Sequence, residues 1–525
     1  MRVTILLASF LLPLISAQPS KLVFTYTLLR HGARNLLPKS PFLADGHRET
    51  ALVPLGQRQC FSVGENWRSR YLDPIGCLAL RGANGEADNT CLFPSFPLPL
   101  TVRYGVRLDP SVAFSLYNTK VVSSQTDRTL TSARSFMGGV FPPIPALVNS
   151  TPQVPFLVAA GSATLSTGLY LPDGEQVVPV YAAAGDDADD VLVRAYNKCP
   201  TYERRLSKWY QTKEFTAKVA ESAPLREHIS SLMRGWAFSN GLNNDTSLIN
   251  WYNVYDAFNV YYTSGYGNPM PPVNSTILSQ VVALAHWLET KKSTSELAGN
   301  LLGGRVLADL LRDLTAVVMD LKAGLSNLRL KVVSGHYNTQ LGVLAALRLD
   351  KLLPASDAAR IPWLRSMPST AAVLVFELHQ STADANHFAV RAMIQNGAMK
   401  NYTSVPLPCS SEEGARIAGA YACSLDAFTA LLAPAVQEVG TAASWCSACA
   451  ATAPLPCVVN SLKSAAANTA AMTPSNDTLI AVIVLLSVCL CGTLYFLYRA
   501  RRKNVRYGTS EDAGLVVLSS ASRIQ

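Results

Sequence analysis

The chain has 525 residues, and 45 Lys and Arg against 36 Asp and Glu give it a formal charge of +9. Gly and Pro, 31 each, hold an ordinary share, which excludes collagen-like chains and Pro/Gly-driven disorder. Only 15% of residues are charged, 49% are hydrophobic and mean hydropathy is +0.17, so membrane-directed segments are expected.

The N-terminus reads Met1-Arg2, then an apolar run from Ile5 to Ile15, then Ser16 and Ala17. A basic start, a short apolar core and a small residue at the cut predict a signal peptide over 1–17. Near the other end, 478–498 hold 21 residues without a charge, followed by Arg499, Arg501, Arg502, Lys503 and Arg506. About 20 apolar residues cross a hydrocarbon core and a basic flank stays cytosolic. This predicts a single-pass type I protein with a cytoplasmic tail over 499–525.

The 11 cysteines fit an oxidising compartment. Cys489 and Cys491 fall in the span. Cys60, Cys77, Cys91, Cys199, Cys409, Cys423, Cys446, Cys449 and Cys457 form an odd set, so one thiol stays free or pairs between chains. Cys446-Ser-Ala-Cys449 has a redox spacing but no βαβ context, and reads as structural disulfide chemistry. Glycosylation sequons at Asn149, Asn244, Asn274 and Asn401 fit a lumenal or extracellular body; a fifth, Asn476, lies close to the membrane.

Three segments read as a buried strand, a loop and a helix. Leu22–Leu29 leads into Arg30-His31-Gly32-Ala33-Arg34. Thr119–Ser123 leads into Ser124-Gln-Thr-Asp-Arg128 and a helical stretch to about Met137. Leu328–Ser334 leads into Gly335-His336-Tyr337 and a helix from about Asn338 to Leu347. Apolar, β-branched strands joined to helices predict an α/β fold with a mainly parallel sheet, whose ligand lies beyond the carboxyl ends of the strands. Helical periodicity over Tyr202–Met233, Ile277–Thr290 and Leu307–Leu321 predicts a helical insertion, bounded at about 145–322, that caps the site. Residues 436–477, rich in Ala, Ser and Thr, read as a stalk.

All three charged clusters fall at predicted strand ends. Guanidiniums grip phosphate oxygens in pairs and stay charged at any working pH. A neutral imidazole among them can attack phosphorus and carry the phosphoryl group. Arg30, Arg34 and Arg128 with His31 and His336 therefore make a candidate phosphate site. The acidic run Asp186-Asp187-Ala188-Asp189-Asp190 lacks the spacing of a calcium loop and reads as a solvated loop.

RHGAR after a strand, SSQTDRTLTSA in the middle and VVSGH near the end resemble the histidine acid phosphatases, the acid-phosphatase and phytase branch of the histidine phosphatases. LVPLGQRQ (52–59), NKCPTYE (197–203), LAGNLLGGRVLADLL (297–311) and STAAVLVFEL (369–378) are similar to further elements of that family. The resemblance covers about residues 21–430. It implies a three-layer α/β sandwich over 18–435 with a helical cap. His31 would be the nucleophile that forms a phosphohistidine; Arg30, Arg34, Arg128 and His336 would bind the phosphate. The resemblance implies no metal and no cofactor.

One position departs from the family. Its second His is followed by Asp, or by Ala-Glu, whose carboxylic acid protonates the leaving oxygen; here His336 is followed by Tyr337. A phenol with pKa about 10 is a weak acid for that work. Another carboxylate such as Asp127 substitutes, Tyr337 donates weakly, or activity is residual. The expected function is a membrane-bound acid phosphatase, endosomal, lysosomal or at the plasma membrane, acting on phosphomonoesters. The alternative is a catalytically impaired phosphate-binding glycoprotein of the same fold; a phytase-like enzyme is disfavoured by the missing His-Ala-Glu element. The partners are the substrate and the bilayer, with a homodimer left open. The +9 divides among Arg2, the basic tail and the site arginines, so no nucleic acid is expected.

Overall fold

The computed structural model describes residues 20–36, 50–72, 118–142, 176–186, 189–234, 245–265, 270–325 and 328–471, with position 116 and several positions between 485 and 495. The signal peptide, Cys77, Cys91, Asn149, Asn244, Asn476 and the tail lie outside them. Among the described residues eight strands form one sheet in the order β3-β2-β4-β1-β5-β6-β7, with β8 against β6. They are β1 (Ser20–Arg30), β2 (Thr119–Ser123), β3 (Tyr181–Ala182), β4 (Leu330–Gly335), β5 (Val373–Ser381), β6 (Phe388–Gln395), β7 (Tyr402–Val405) and β8 (Cys423–Ser424).

The expected mainly parallel sheet is instead mixed. β1, β2, β3 and β4 run parallel, whereas β5, β6, β7 and β8 join through antiparallel pairings. The physical reason is connection length. Only residues 382–387 separate β5 from β6, enough for a hairpin and too few for a parallel crossover.

Alternation along the strands sets two apolar faces. Leu29, Val332, Val373 and Val375 pack with Trp67 and Phe136. These come from α1 (Pro54–Tyr71) and α2 (Asp127–Val140). Leu28, Val333, Leu374 and Phe376 face the opposite layer. A three-layer sandwich results.

Among the described residues between β3 and β4 are six α-helices: α3 (Pro200–Trp209), α4 (Lys213–Glu221), α5 (Ala223–Arg234), α6 (Trp251–Ser264), α7 (Ser275–Lys292) and α8 (Gly304–Lys322). Trp209, Phe215, Trp251, Phe258 and Leu310 join them to the second apolar layer. β3 falls inside the range expected for the insertion, so its helices begin only at Pro200. α9 (Tyr337–Ala346) follows β4 directly.

The stretch expected as the start of a stalk belongs to the body. The compact unit extends to Cys457, and a second unit begins at Val458. After α10 (Leu425–Val439) comes α11 (Ala442–Cys449), which buries Trp445 with its indole N–H donating to the Leu301 carbonyl at 2.9 Å. Cys449 bonds to Cys199, and Cys446 to Cys457. Ala, Ser and Thr dominate this stretch, but one tryptophan and three cysteines decide its packing.

Cys409–Cys423 is a third disulfide, and Cys60 is a buried free thiol. The Cys199–Cys449 bond closes a separation of 250 residues. Replacing both residues with Ser is expected to remove about 2–5 kcal/mol of stability, read by chemical denaturation without reductant. α12 (Leu455–Ala471) runs into the second unit. Among the described residues no helix is long and apolar enough to cross a membrane. Most of the predicted span 478–498 lies outside them; its described positions, including Leu485 and Leu490, are helical and exposed.

Candidate active site

The register places three loops side by side. Arg30 lies opposite Gly335 in the β1–β4 pairing, and Ser123 opposite Ser334 in β2–β4. His31, Ser124 and His336 thus leave the sheet at one edge. The His31 backbone N–H donates to the Gly335 carbonyl at 3.1 Å, and that of Ser124 to Ser334 at 3.1 Å. The turn after His31 is wedged against the start of α1. A Cβ on Gly32 would lie 2.2 Å from the Gly56 oxygen, and one on Gly56 2.0 Å from the Ala33 oxygen, so neither position admits a side chain. This explains the glycine in the stretch 52–59. Gln59 and Ser132 brace the same turn by accepting from the Ala33 and Gly32 N–H groups at 2.9 and 3.0 Å.

His31 and His336 are each 4% exposed, with ring centres 5.4 Å apart, edge to face. The Nδ1 of His31 lies 2.8 Å from the carbonyl oxygen of Gly32. A carbonyl only accepts, so Nδ1 carries the proton and Nε2 keeps its lone pair. His336 presents Nε2 to the Ser124 hydroxyl at 3.2 Å. Burial is the main force holding both imidazoles well below the ordinary histidine range. Arg128, Arg30 and Arg34 add to it at His31, and Arg128 leads the charges acting on His336. Burial and the three guanidiniums therefore favour the neutral form of His31.

The three predicted arginines are buried around this pair. Arg34 forms a two-pronged ion pair with Asp256 of α6, at 2.9 and 3.1 Å. Arg128 donates to the Thr50 hydroxyl at 2.8 Å. Burial, with Arg34 and Arg194 nearby, pushes Arg128 down to about 10. Arg30 donates to the Pro368 carbonyl and lies over the Tyr337 ring at 5.2 Å. The Nε–H groups of Arg30, Arg34 and Arg128 are all buried with no hydrogen-bond partner among the described residues. Three buried guanidiniums with spare donors around one imidazole suit an anion, although Arg70 and Arg305 also bury an unpartnered Nε–H.

His31 and Arg34 separate two cavities. The larger, about 420 Å³, also holds Arg128, His336, Tyr337 and Glu289. The smaller, about 300 Å³, takes Arg30 and Asp256. Arg30 and Arg128 thus line different cavities that share His31 and Arg34.

Tyr337 is buried and fixed. Its ring stacks on Tyr252 at 5.4 Å, and its hydroxyl donates to Glu289 at 2.8 Å. Burial and then Glu289 hold this phenol well above the ordinary tyrosine range, making it a weaker acid than an exposed one. Asp127 does not substitute for the missing acid; it is exposed in the first turn of α2 and bonds the Thr131 hydroxyl at 3.5 Å.

Asp190 is no free ligand, since it accepts the N–H groups of Leu192 and Val193 at 3.1 and 2.7 Å. Among the described residues no cluster suits a metal ion. Asn274 is exposed at the N-cap of α7, accepting from Ile277 at 2.9 Å, and Asn401 is exposed before β7.

Sequence reasoning missed Arg194, Tyr252, Asp256, Glu289 and Lys292. Only Arg194 carried a signal, standing three residues before the NKCPTYE segment.

With this geometry in hand, the similarities become interpretable. The family model for the histidine phosphatase superfamily (branch 2) matches residues 42–395. The chain belongs to the histidine phosphatase superfamily, branch 2. It is 23% identical over 439 residues to the lysosomal acid phosphatase of Xenopus laevis, covering 80% of this chain and 78% of that protein. Among solved structures it is similar to the Klebsiella sp ASR1 phytase, with TM-score 0.48 and 13% identity over 79% of this chain and 96% of the other. It is also similar to the Bifidobacterium longum multiple inositol polyphosphate phosphatase, with TM-score 0.39 and 12% identity over 82% and 97%.

Proposed function

We propose that this chain is a type I membrane-anchored acid phosphatase that hydrolyses phosphomonoesters through a phosphohistidine at His31. One observation carries the reading: a buried imidazole whose Nδ1 is tied to the Gly32 carbonyl, ringed by three buried guanidiniums whose Nε–H donors lack partners among the described residues. The phosphoryl oxygens take those donors, with His336 on the facing side. Nε2 forms the N–P bond as the P–O bond to the alcohol breaks, and the departing oxygen takes a proton. Water then breaks the N–P bond, releasing phosphate and restoring the imidazole. Fixed positive charge supports the transition state, because the guanidiniums are already oriented.

The apolar run 478–498 with its basic flank supports the anchor, and the lysosomal acid phosphatase relative supports a lumenal catalytic body. Endosomal or lysosomal residence fits best, with the plasma membrane as the alternative. Exposed Asn274 and Asn401 suit glycosylation.

A second reading, phosphate binding without turnover, is favoured by Tyr337 in place of a carboxylic acid and by Asp256 engaging two N–H groups of Arg34. The two readings separate in one assay on the full-length protein in detergent, using aryl and alkyl phosphates across pH 4 to 8. Hydrolysis in the acid range, faster for aryl phosphates whose oxygens leave without much protonation, is expected. No turnover of either substrate at any pH supports the binding protein.

A further inference from the structure

The larger cavity holds a guanidinium beyond those that the phosphate site takes. Arg194 lines it together with His31, Arg34, Arg128 and His336. We propose that Arg194 binds a carboxylate on the leaving-group alcohol, so that the chain favours phosphomonoesters of hydroxy acids. This deepens the acid-phosphatase reading and rests on it.

The loop that carries Arg194 is fixed from several sides. Asp190, 3% exposed, accepts the N–H groups of Leu192 and Val193 at 3.1 and 2.7 Å, which turns the chain just before Arg194. The Val193 carbonyl accepts from the Thr339 hydroxyl at 2.6 Å and ties this turn to α9 beside His336. The Asn197 backbone N–H donates to the Arg194 carbonyl at 3.0 Å. With its amide turned oxygen-first, the Asn197 side chain also accepts from Nε and Nη2 of Arg194 at 3.0 and 2.6 Å. Cys199, bonded to Cys449, anchors the loop two residues further on. A guanidinium gripped along one edge has given up much of its rotamer freedom before a ligand arrives.

Arg194 flanks the phosphate site. It lies over the Tyr196 ring at 6.0 Å, and that ring meets the His336 ring edge-on at 6.1 Å. Its charge is felt at both Arg128 and His336. A phosphoryl group held at His31 must extend its alcohol into the rest of this cavity of about 420 Å³, where Arg194, Tyr196, Asn197 and Asn338 form wall.

The charge balance of that wall selects the group it takes. A guanidinium fork matches a carboxylate in shape as well as sign. Lys292, another cation of the cavity, is already paired with Glu289 at 2.8 Å, and Glu203 lines the same space. One oriented guanidinium among two carboxylate side chains suits a single negative charge better than a second phosphate. An ammonium on the alcohol would meet repulsion from Arg194 and Arg128.

Three esters of one three-carbon chain test this: 3-phosphooxypropanoate, 3-hydroxypropyl phosphate and 3-aminopropyl phosphate end in a carboxylate, a hydroxyl and an ammonium. Each is measured as a competitor of aryl-phosphate hydrolysis by the full-length protein in detergent at pH 6, above the ordinary carboxylate range. The carboxylate ester is expected to bind about 10-fold or more tightly than the hydroxyl ester, the scale of a charge-assisted paired contact, and the ammonium ester weakest. R194Q should bring the carboxylate-to-hydroxyl ratio close to one. R194K, a point charge without the fork, should keep part of it. N197D sets a carboxylate against the same edge of Arg194 and should also lower the ratio, which covers the case that R194Q fails to fold. The ratio is informative because a loosened fold weakens all three esters alike. A wild-type protein that does not prefer the carboxylate ester, an R194Q protein that keeps the ratio, or an equal loss on all three esters overturns the inference. If wild-type protein hydrolyses no aryl phosphate, the acid-phosphatase reading fails and this inference falls with it. If it does and the ratio ignores Arg194, this inference alone fails.

Discussion

His31→Ala is expected to lower aryl-phosphate hydrolysis by about 10⁴-fold or more, the scale seen when a covalent nucleophile is removed. Its Nδ1 is tied to the Gly32 carbonyl, leaving Nε2 as the imidazole's one free base. Neither Arg34 nor Arg128, two of the cations lining the same cavity, can replace a nucleophile. Yet those arginines keep their buried donors in the variant, so phosphate should still bind and still raise its unfolding temperature. Activity and phosphate-induced stabilisation measured on one preparation separate lost chemistry from lost fold. Substantial turnover by a folded, phosphate-binding variant would exclude His31 as the nucleophile.

The second large effect is acid destabilisation that phosphate reverses. His31 and His336 are held neutral mainly by burial, then by the arginines. In the unfolded chain each protonates near its ordinary pKa of about 6.5. Their contribution to stability is present above that value and is lost as pH falls, because the unfolded state then binds more protons than the native one. The slope is about 1.4 kcal/mol per pH unit for each group until its own native pKa is reached. Denaturant titrations at pH 7, 6 and 5 should therefore show falling stability, with a shallower slope in His31→Ala. Phosphate at about 100 times its Kd should return about 2.7 kcal/mol at any one pH. Stability that is flat from pH 7 to 5 would mean that these imidazoles are not held neutral.

Local pattern carried the catalytic edge of the sheet. β1, β2 and β4 follow the three apolar runs closely, and RHGAR, SSQTDR and SGH follow their ends. Strand direction was less legible, because hydrophobic pattern is blind to it; the short link from β5 to β6 was the available signal. Glu289 was harder still. It sits in LAHWLETKK, where nothing in the sequence marks one Glu beside two Lys as buried. Its burial arises when α9 brings Tyr337 against α7, a contact between residues 48 apart. Asp256 was hidden in the same way, its partner Arg34 being 222 residues away. The chain after Gly440 misled by composition, since Trp445 and Cys449 outweigh the small residues around them.

Capture of the phosphoenzyme tests the role of His31. Full-length protein in detergent is mixed with ³²P-labelled aryl phosphate at pH 5, quenched in alkaline detergent to preserve a phosphorus–nitrogen bond, and mapped by peptide. One phosphoryl group is expected, on His31, absent from His31→Ala. No label during turnover, or label on His336, a serine or a carboxylate, would contradict it.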